Sequence, residues 1–457
     1  MSKKLVVRAL ATLAVVTTTA ACSSPSSGGG GGGTSTPAGT SGTSSGQSAA
    51  QKAAAELGID LSKCPTDITK PLSGTVKIGG TLALTGPVAP ALAPLLVGEK
   101  AAVDDLNATS GLPVKFSLTV KDDQFAPDKT AVAAQELMQS DKVDFMSGTV
   151  GTANVAAVEP LAQKYCVPLI PGNAGGASVD NPKKYPFTTL WGSPSYVDVK
   201  GWFQYLQEKF PNGAKVALMT ANTDSGLNYL AAANDLSKGT KFQIVSKTTL
   251  DATDTNAPSS QVTTMKASGA NVLLASVSPG PQCASLVNEV AQHGWKPDAF
   301  LITNSCSTLA LMKPAGAAAQ GVMTNLWLND PSSASAASDA GLQKILAAIK
   351  KYQPGQPING STVSGYSVMQ VFFKAAQQAA QSNLGLSRLG ILYAAWHMTF
   401  QTAAWVPGLV YSMDFPNDVV NLEAEQLSSF DAKAGQWEKI KIYDFNGQTT
   451  GKASVPS

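Results

Sequence analysis

Short apolar runs alternate with segments of helical periodicity over most of this chain. The apolar run at 143–146 is followed by Gly148 and a small polar loop, and apolar residues then recur at helical spacing from Val155 to Ala162. This pattern predicts a strand, a loop and the N-terminus of a helix. Units of the same kind lie on both sides of it between Val76 and Trp191, and their alternation predicts a doubly wound α/β sheet.

A second alternating series begins after the aromatic segment at 185–191. It predicts four further strands separated by helices, at 215–219, 242–245, 271–275 and 300–303. The two series indicate two α/β lobes. Ligands of such sheets sit beyond the carboxyl ends of the strands, so the sequence predicts a binding cleft between the lobes.

Three loops of the first lobe lie at its predicted ligand edge: 85–94, 148–154 and 173–176. A helix N-terminus exposes unpaired backbone N–H groups and the positive end of the helix dipole. Small residues let a ligand approach the backbone closely. The loop at 148–154 is therefore suited to hold a carbonyl or carboxylate group without a charged side chain. The alternative interpretation is ordinary capping of a strand-helix connection.

The start of the chain has the pattern of an export signal. Lys3, Lys4 and Arg8 precede a short apolar run, and Ala20 and Ala21 lead to Cys22. This pattern is typical of a bacterial lipobox, which predicts a lipoprotein signal peptide at 1–22 and lipidation of Cys22. The alternative is ordinary cleavage without a lipid. The segment from 23 to 48 is rich in Ser and Gly and predicts a flexible tether, with a lead-in that extends to 74.

Composition excludes several classes of function. The chain has 457 residues, a net charge of +2 and only 14% charged residues, so there is no electrostatic argument for nucleic-acid binding. Arg388 is the only arginine after the predicted signal. The two histidines, His293 and His397, offer little to a catalytic triad or a zinc site. We expect no metal and no cofactor.

The cysteines indicate disulfides. With Cys22 lipidated, four cysteines remain in an exported chain, which favours two bridges over four buried thiols. Four cysteines allow three pairings. We favour Cys64–Cys166 and Cys283–Cys306, because each pair then stays within one predicted lobe.

The order of these segments resembles the type I periplasmic binding proteins, the Leu/Ile/Val-binding family that serves ABC importers. The resemblance covers the chain from about Thr75 onwards. The segments that carry it are 78–89, 101–107, Lys121–Asp123 with Pro127, 148–167, Asp224–Gly226 and Gly365–Tyr366. It implies two Rossmann-like lobes joined by a hinge of three crossing strands, with 75–192 and 325–381 in the first lobe and 193–324 and 382–457 in the second.

The resemblance also implies a set of ligand-binding positions. These are Ala91, Leu92, Thr149, Val150, Gly151, Thr152, Asn173, Ala174, Gly175, Asp224, Ser225, Ser276, Ser278 and Gln282.

The chain departs from the family's amino-acid binders at the position of the ligand ammonium. An acid is usual in the second lobe, whereas this chain has Pro281 and Gln282, and Asp224 is the one plausible acid near the cleft. A buried ammonium without a paired acid is costly. We therefore expect a neutral or mainly apolar ligand, with a carbonyl or carboxylate near Thr149–Thr152.

These observations predict a monomeric solute-binding lipoprotein, anchored to the outer face of the cell membrane, that delivers a small molecule to an ABC permease without catalysis. A ligand-sensing or scaffolding lipoprotein remains an alternative, as does a cleft that has lost its ligand. A secreted hydrolase is the third alternative.

Overall fold

The computed structural model describes residues 47–176, 179 and 181–447. Cys22, the predicted signal peptide and the Ser/Gly-rich segment up to residue 46 lie outside these residues. The described chain opens with α1 (Ala49–Glu56), whose first turn is capped by reciprocal hydrogen bonds between Ser48 and Gln51. None of the helices in the described part is long and apolar enough to cross a membrane.

The lead-in between α1 and the first strand is folded against the first lobe. Leu57, Ile59 and Ile68 belong to the main apolar core, and Cys64 forms a disulfide with Cys166. Arg388 donates hydrogen bonds to Thr66 and Asp144. The lead-in, for which the sequence predicted no elements, is therefore folded, because these apolar side chains find partners that are distant in sequence.

The first lobe is built on five parallel strands. In chain order its elements are β1 (Thr75–Leu82), α2 (Ala89–Leu92), α3 (Pro94–Thr109), β2 (Lys115–Asp122), α4 (Pro127–Gln139), β3 (Phe145–Met146), α5 (Thr152–Tyr165), β4 (Leu169–Asn173) and β5 (Thr188–Trp191). The strand order is β2-β1-β3-β4-β5. Ile78 in β1 pairs with Leu118 on one side and Phe145 on the other, so the central strand is buried as its apolar pattern predicts.

The second lobe repeats this plan. Its elements are α6 (Ser195–Lys209), β6 (Lys215–Ala221), α7 (Asp224–Ser237), β7 (Gln243–Leu250), α8 (Ser259–Ala267), β8 (Val272–Ser276), α9 (Pro281–Gln292), β9 (Ala299–Ile302), α10 (Leu309–Met312) and β10 (Met323–Leu326). The predicted doubly wound two-lobe fold is confirmed. Cys283 and Cys306 form the second disulfide, so the favoured pairing is also confirmed.

The chain then returns to the first lobe. The returning elements are α11 (Ala340–Tyr352), α12 (Gly360–Ala380), α13 (Arg388–Trp396), β11 (His397–Phe400) and β12 (Tyr411–Asp414). α12 packs closely along α3. A Cβ atom added at Gly98 would lie only 1.9 Å from the Thr362 carbonyl oxygen, and one added at Gly365 would lie 2.0 Å from the carbonyl oxygen of Leu95. Both glycines are required by this close approach of two backbones.

The last crossing leads to β13 (Ala424–Asp431) and β14 (Gln436–Asp444). The second sheet has the order β14-β13-β10-β9-β8-β6-β7, and β13 is antiparallel to both of its neighbours. Residues 386–415 contribute to the core of the first lobe, whereas the sequence places everything from 382 in the second. We therefore propose that the lobe boundary lies within 416–423.

Candidate functional site

A cavity of about 520 Å³ lies between the lobes, at the carboxyl ends of strands from both sheets. Its wall combines three kinds of residue: small polar side chains, glycines and four aromatic rings. The described residues of this wall include the carboxyl groups of Asp224 and Asp251 and no basic side chain. Both aspartates are exposed to solvent.

Most of the predicted ligand-binding residues line this cavity. Those on its wall are Val150, Gly151, Thr152, Asn173, Ala174, Gly175, Asp224, Ser225, Ser276 and Ser278. They come from loops that follow four different strands, and the parallel sheets bring these loops to one edge. That they contact a ligand stays a prediction.

Four of the predicted residues do not line the cavity. Ala91 and Leu92 fold into the short helix α2 and are buried in an apolar cluster behind the wall. The Thr149 hydroxyl is buried and hydrogen-bonded to that of Thr81 at 3.0 Å. Gln282 holds a neighbouring loop, because its side chain accepts from the Ser278 N–H and donates to backbone carbonyls at 251–254. These four residues support the wall from behind.

The first-lobe wall is the N-terminus of α5. Gly151 precedes it with φ of 104°, a conformation that favours glycine, and a Cβ atom there would lie 2.9 Å from the Phe125 ring. The first backbone hydrogen bond of the helix joins the Val155 N–H to the Gly151 carbonyl. The N–H groups of the first turn are therefore left to face the cavity.

The second-lobe wall is the N-terminus of α7. Thr223 caps this helix by accepting a hydrogen bond from the Gly226 N–H at 3.1 Å. α5 and α7 contact each other across the cleft, and Gly176 lies between the side chains of Thr152 and Asn228. Two helix N-termini, one from each lobe, thus meet at the same cavity and make it attractive to an anionic or strongly polar oxygen.

Aromatic rings form another part of the wall. Trp191 and Trp327 meet edge to face with ring centroids 4.5 Å apart, and Trp405 packs behind Trp327. The Trp405 indole N–H donates to the Ser367 hydroxyl at 2.7 Å. The buried Nε1 of Trp191 has no hydrogen-bond partner.

A pair of buried carboxyl groups lies directly behind the wall. Asp198 accepts hydrogen bonds from the Tyr229 hydroxyl at 2.5 Å and from the Asn304 N–H at 3.3 Å. Tyr229 and Asn304 both line the cavity. Burial raises the pKa of Asp198, and burial together with the charge of Asp198 raises the pKa of Glu425. The sequence suggested that Asp224 is the one acid near the cleft. The buried carboxyl groups of Asp198 and Glu425 correct that expectation.

Sequence reasoning missed several residues of the wall. Phe125 follows the acidic turn after β2, and Trp191 and Ser193 sit at the end of the aromatic segment. For Trp191 and Ser193, the sequence offered one signal of a site, namely the end of a strand followed by Gly and Pro. Trp327 had no local signal, since only the crossing of the chain between lobes brings it to the site, whereas Tyr229 lies one turn into α7, beyond the predicted Asp224 and Ser225.

The histidines stand away from this cavity. Nε2 of His293 lies 2.8 Å from the Ser259 hydroxyl and 3.3 Å from a Glu289 carboxylate oxygen. A Ser-His-acid triad needs the serine and the acid on opposite ring nitrogens, and here both meet the same one. His397 lies between Glu56 and the backbone carbonyls of Tyr393 and Phe415. No group of His, Cys, Asp or Glu in the described ranges is arranged to hold a metal ion.

Comparison with known proteins agrees with this geometry. The family model described as "Periplasmic binding protein" matches residues 75–407. A fatty acid ABC transporter substrate-binding protein from Thermomonospora curvata is similar, with 19% identity, a TM-score of 0.70, and coverage of 82% of this chain and 96% of that one.

Two further solved structures share the fold. A solute-binding protein of an R. palustris ABC transporter, in complex with 4-hydroxybenzoate, has 19% identity, a TM-score of 0.68, and coverage of 81% of this chain and 97% of that one. A leucine-binding protein from Thermotoga maritima has 16% identity, a TM-score of 0.66, and coverage of 81% and 99%.

Proposed function

This chain belongs to the periplasmic binding protein family, and we propose that it captures a small carboxylate or neutral polar solute with an apolar body, aromatic or acyl, and delivers it to an ABC permease. The family consists of solute-binding proteins of ABC transporters that act outside the cytoplasm. The class of solute and the delivery step are the parts we propose.

The chemistry of the cavity wall supports this class of solute. The N-termini of α5 and α7 supply N–H donors and positive dipole ends for a carboxylate or carbonyl oxygen. The rings of Phe125, Trp191 and Trp327 offer apolar surface for the rest of the molecule. A cavity of about 520 Å³ is of the size that small-molecule sites occupy.

An amino-acid zwitterion fits this wall less well. Its ammonium group needs a desolvated acid, and the two carboxylates on the wall, those of Asp224 and Asp251, belong to exposed residues. The acid pair behind the wall already receives hydrogen bonds from Tyr229 and Asn304. The relatives bound to 4-hydroxybenzoate or named for fatty acids support the proposal more than the leucine-binding one does.

The single observation that carries the proposal is the meeting of two helix N-termini beside aromatic rings at one cavity. The test is a thermal-shift screen of the purified protein with 4-hydroxybenzoate, benzamide, octanoate and leucine, followed by calorimetry. A ligand at a hundred times its Kd adds about 2.7 kcal/mol of stability. We expect a shift with an aromatic or acyl carboxylate or an aromatic amide. Tight binding of leucine with no binding of the others would refute it.

The N-terminal segment supports an anchored location. We propose that Cys22 is lipidated, that the signal is cleaved between Ala21 and Cys22, and that the Ser/Gly-rich segment tethers the lobes to the outer face of the cell membrane. A tether of this composition lets a captured solute reach a permease in the same membrane.

A further inference from the structure

The chain crosses between the lobes three times, and a buried polar residue stands beside each crossing. Asp198 follows the first crossing at 192–194, Asn325 precedes the second, and Glu425 follows the third at 416–423. Each of the three side chains is at most 1% exposed. We call Asp198, Asn325 and Glu425 the hinge cluster.

Hydrogen bonds tie this cluster together and to the cavity wall. The Asn325 amide donates to the Asp198 carboxylate at 2.6 Å and to its backbone carbonyl at 2.9 Å. The Asn304 amide donates to Glu425 at 3.5 Å. The Tyr229 hydroxyl donates to the second carboxylate oxygen of Asp198 at 2.5 Å. Motion of one crossing relative to another therefore disturbs residues that line the cavity.

The cluster contains two buried acceptor atoms without a partner. Oδ1 of Asn325 and Oε2 of Glu425 are both buried without a hydrogen-bond partner. Both atoms are acceptors when Glu425 is ionised. A proton on Glu425 makes its carboxyl group a hydrogen-bond donor and removes one of two buried like charges.

The donors around each carboxyl group decide which one holds the proton. Asp198 accepts from Tyr229, Asn304 and Asn325, and such bonds stabilise a carboxylate. Glu425 accepts from the Asn304 amide at 3.5 Å, and its other carboxyl oxygen has no partner. Tyr229 is the other titratable group that faces the pair. Within the described chain, no lysine, arginine or histidine contributes to the pKa shifts of Asp198, Tyr229 or Glu425.

We propose that the hinge cluster holds one shared proton, carried by Glu425, and that this proton keeps the crossings together and Tyr229 and Asn304 in place on the cavity wall. The cluster then restricts the movement of the lobes as long as Glu425 keeps its proton, so that this movement depends on pH. This inference goes beyond the proposed function, and its test needs no solute.

Burial and the charge of Asp198 both raise the pKa of Glu425 well above the usual range of a glutamate. The folded protein therefore holds this proton to higher pH than an exposed glutamate does, and loses it as the pH rises further or when the lobes open to water. Loss of the proton leaves two buried carboxylates facing each other, which favours separation of the crossings.

The test follows hydrogen–deuterium exchange at 192–194, 327–328 and 416–423 between pH 5 and 9, corrected for the intrinsic rate, in the wild type and three variants. Glu425→Gln places an amide donor at this position without a titrating proton. Asp198→Asn removes the neighbouring charge. Glu99→Gln removes another buried carboxyl group, away from the crossings, and is the matched control. Infrared spectra of the same samples report the carbonyl stretch of neutral carboxylic acids.

In the wild type and in Glu99→Gln we expect exchange at the crossings to accelerate by about tenfold per pH unit once the proton is lost, together with loss of a carboxylic-acid band. Glu425→Gln removes the acceleration and weakens the band, and the part that remains belongs to Glu99 and Asp198, whose pKa values burial also raises. Asp198→Asn moves the acceleration to lower pH, because the like charge that raised the pKa of Glu425 is gone. Exchange in the wild type that does not respond to pH, or an acceleration that survives in Glu425→Gln, would overturn the proposal even if Glu425→Gln alone folded poorly.

Discussion

The indole rings of Trp191 and Trp327 meet edge to face, with centroids 4.5 Å apart, and this contact joins the first and second crossings of the chain between the lobes. Both rings also line the solute cavity. The same pair therefore serves the hinge and the site, which links the arrangement of the lobes to the shape of the cavity.

Replacing Trp327 should lower both stability and solute affinity. Trp327→Ala removes a buried ring at a cost of about 3–5 kcal/mol, and it should weaken binding of the best panel compound by roughly tenfold, or about 1.4 kcal/mol. Trp295→Ala is the control, because Trp295 is similarly buried within the second-lobe core. Calorimetry should find unchanged affinity in that variant. Equal affinity losses in both would contradict a role for Trp327 in the site.

Alanine variants at Gly151 and Gly280 distinguish the effect of backbone strain from the effect of obstructing the cavity. Both precede a helix with positive φ, 104° and 110°, so alanine at either position costs about 1–3 kcal/mol. A Cβ atom at Gly280 meets nothing within 4 Å, whereas one at Gly151 meets the Phe125 ring. We expect Gly151→Ala to abolish solute binding in the thermal-shift assay and Gly280→Ala to retain it. Retained binding in both variants would show that the α5 N-terminus is not the ligand-facing surface.

The buried carboxyl group of Glu99 should make stability depend on pH. Burial raises its pKa from 4.5 to about 8, so the folded protein keeps a proton that the unfolded chain releases. The free energy of unfolding should therefore be highest below pH 4.5 and fall as pH rises towards 8, by up to about 5 kcal/mol from this group.

Urea unfolding of Glu99→Gln at several pH values tests this expectation. The slope of stability against pH should flatten between pH 4.5 and 8, with the remainder belonging to Asp198 and Glu425. Glu438→Gln, at an exposed position of β14, should leave the slope unchanged. A wild-type slope in Glu99→Gln would mean that this carboxyl group is ionised or solvated in the folded protein.

The two disulfides should differ in their contribution to stability. Cys64–Cys166 closes a separation of 102 residues and Cys283–Cys306 one of 23, so the chain-entropy model assigns them about 4.7 and about 3.4 kcal/mol. Paired alanine replacements at each bridge, compared by denaturant unfolding, should reproduce this order. The opposite order would indicate that residual structure of the unfolded chain dominates.

Membrane association should depend on Cys22. In a host that processes bacterial lipoproteins, the wild type should incorporate labelled palmitate and sediment with membranes. Cys22→Ser should be unlabelled and recovered in the soluble extracytoplasmic fraction. Cys64→Ser keeps Cys22 and should still be labelled. Label in Cys22→Ser would place the lipid elsewhere.

Local patterns were sufficient for the strands and for the loops that follow them. An apolar run such as 143–146 and the small polar residues after it predict a buried strand and the loop that follows it, because the spacing of apolar residues records which faces are buried. The loops at 148–154 and 173–176 therefore reached the cavity as predicted. Ala91 and Leu92 did not, because their loop folds into a short helix that buries them.

The sequence by itself determined the two doubly wound lobes and most of the cavity-lining loops, and it favoured one of three disulfide pairings, which the structure contains. Only the tertiary structure decided the position of Trp327, the buried pair of Asp198 and Glu425, and the lobe to which residues 386–415 belong. The physical reason is the distance along the chain between the residues that must meet. Periodicity records which face of an element is buried, whereas a hinge made from three distant crossings exists only once both sheets have assembled.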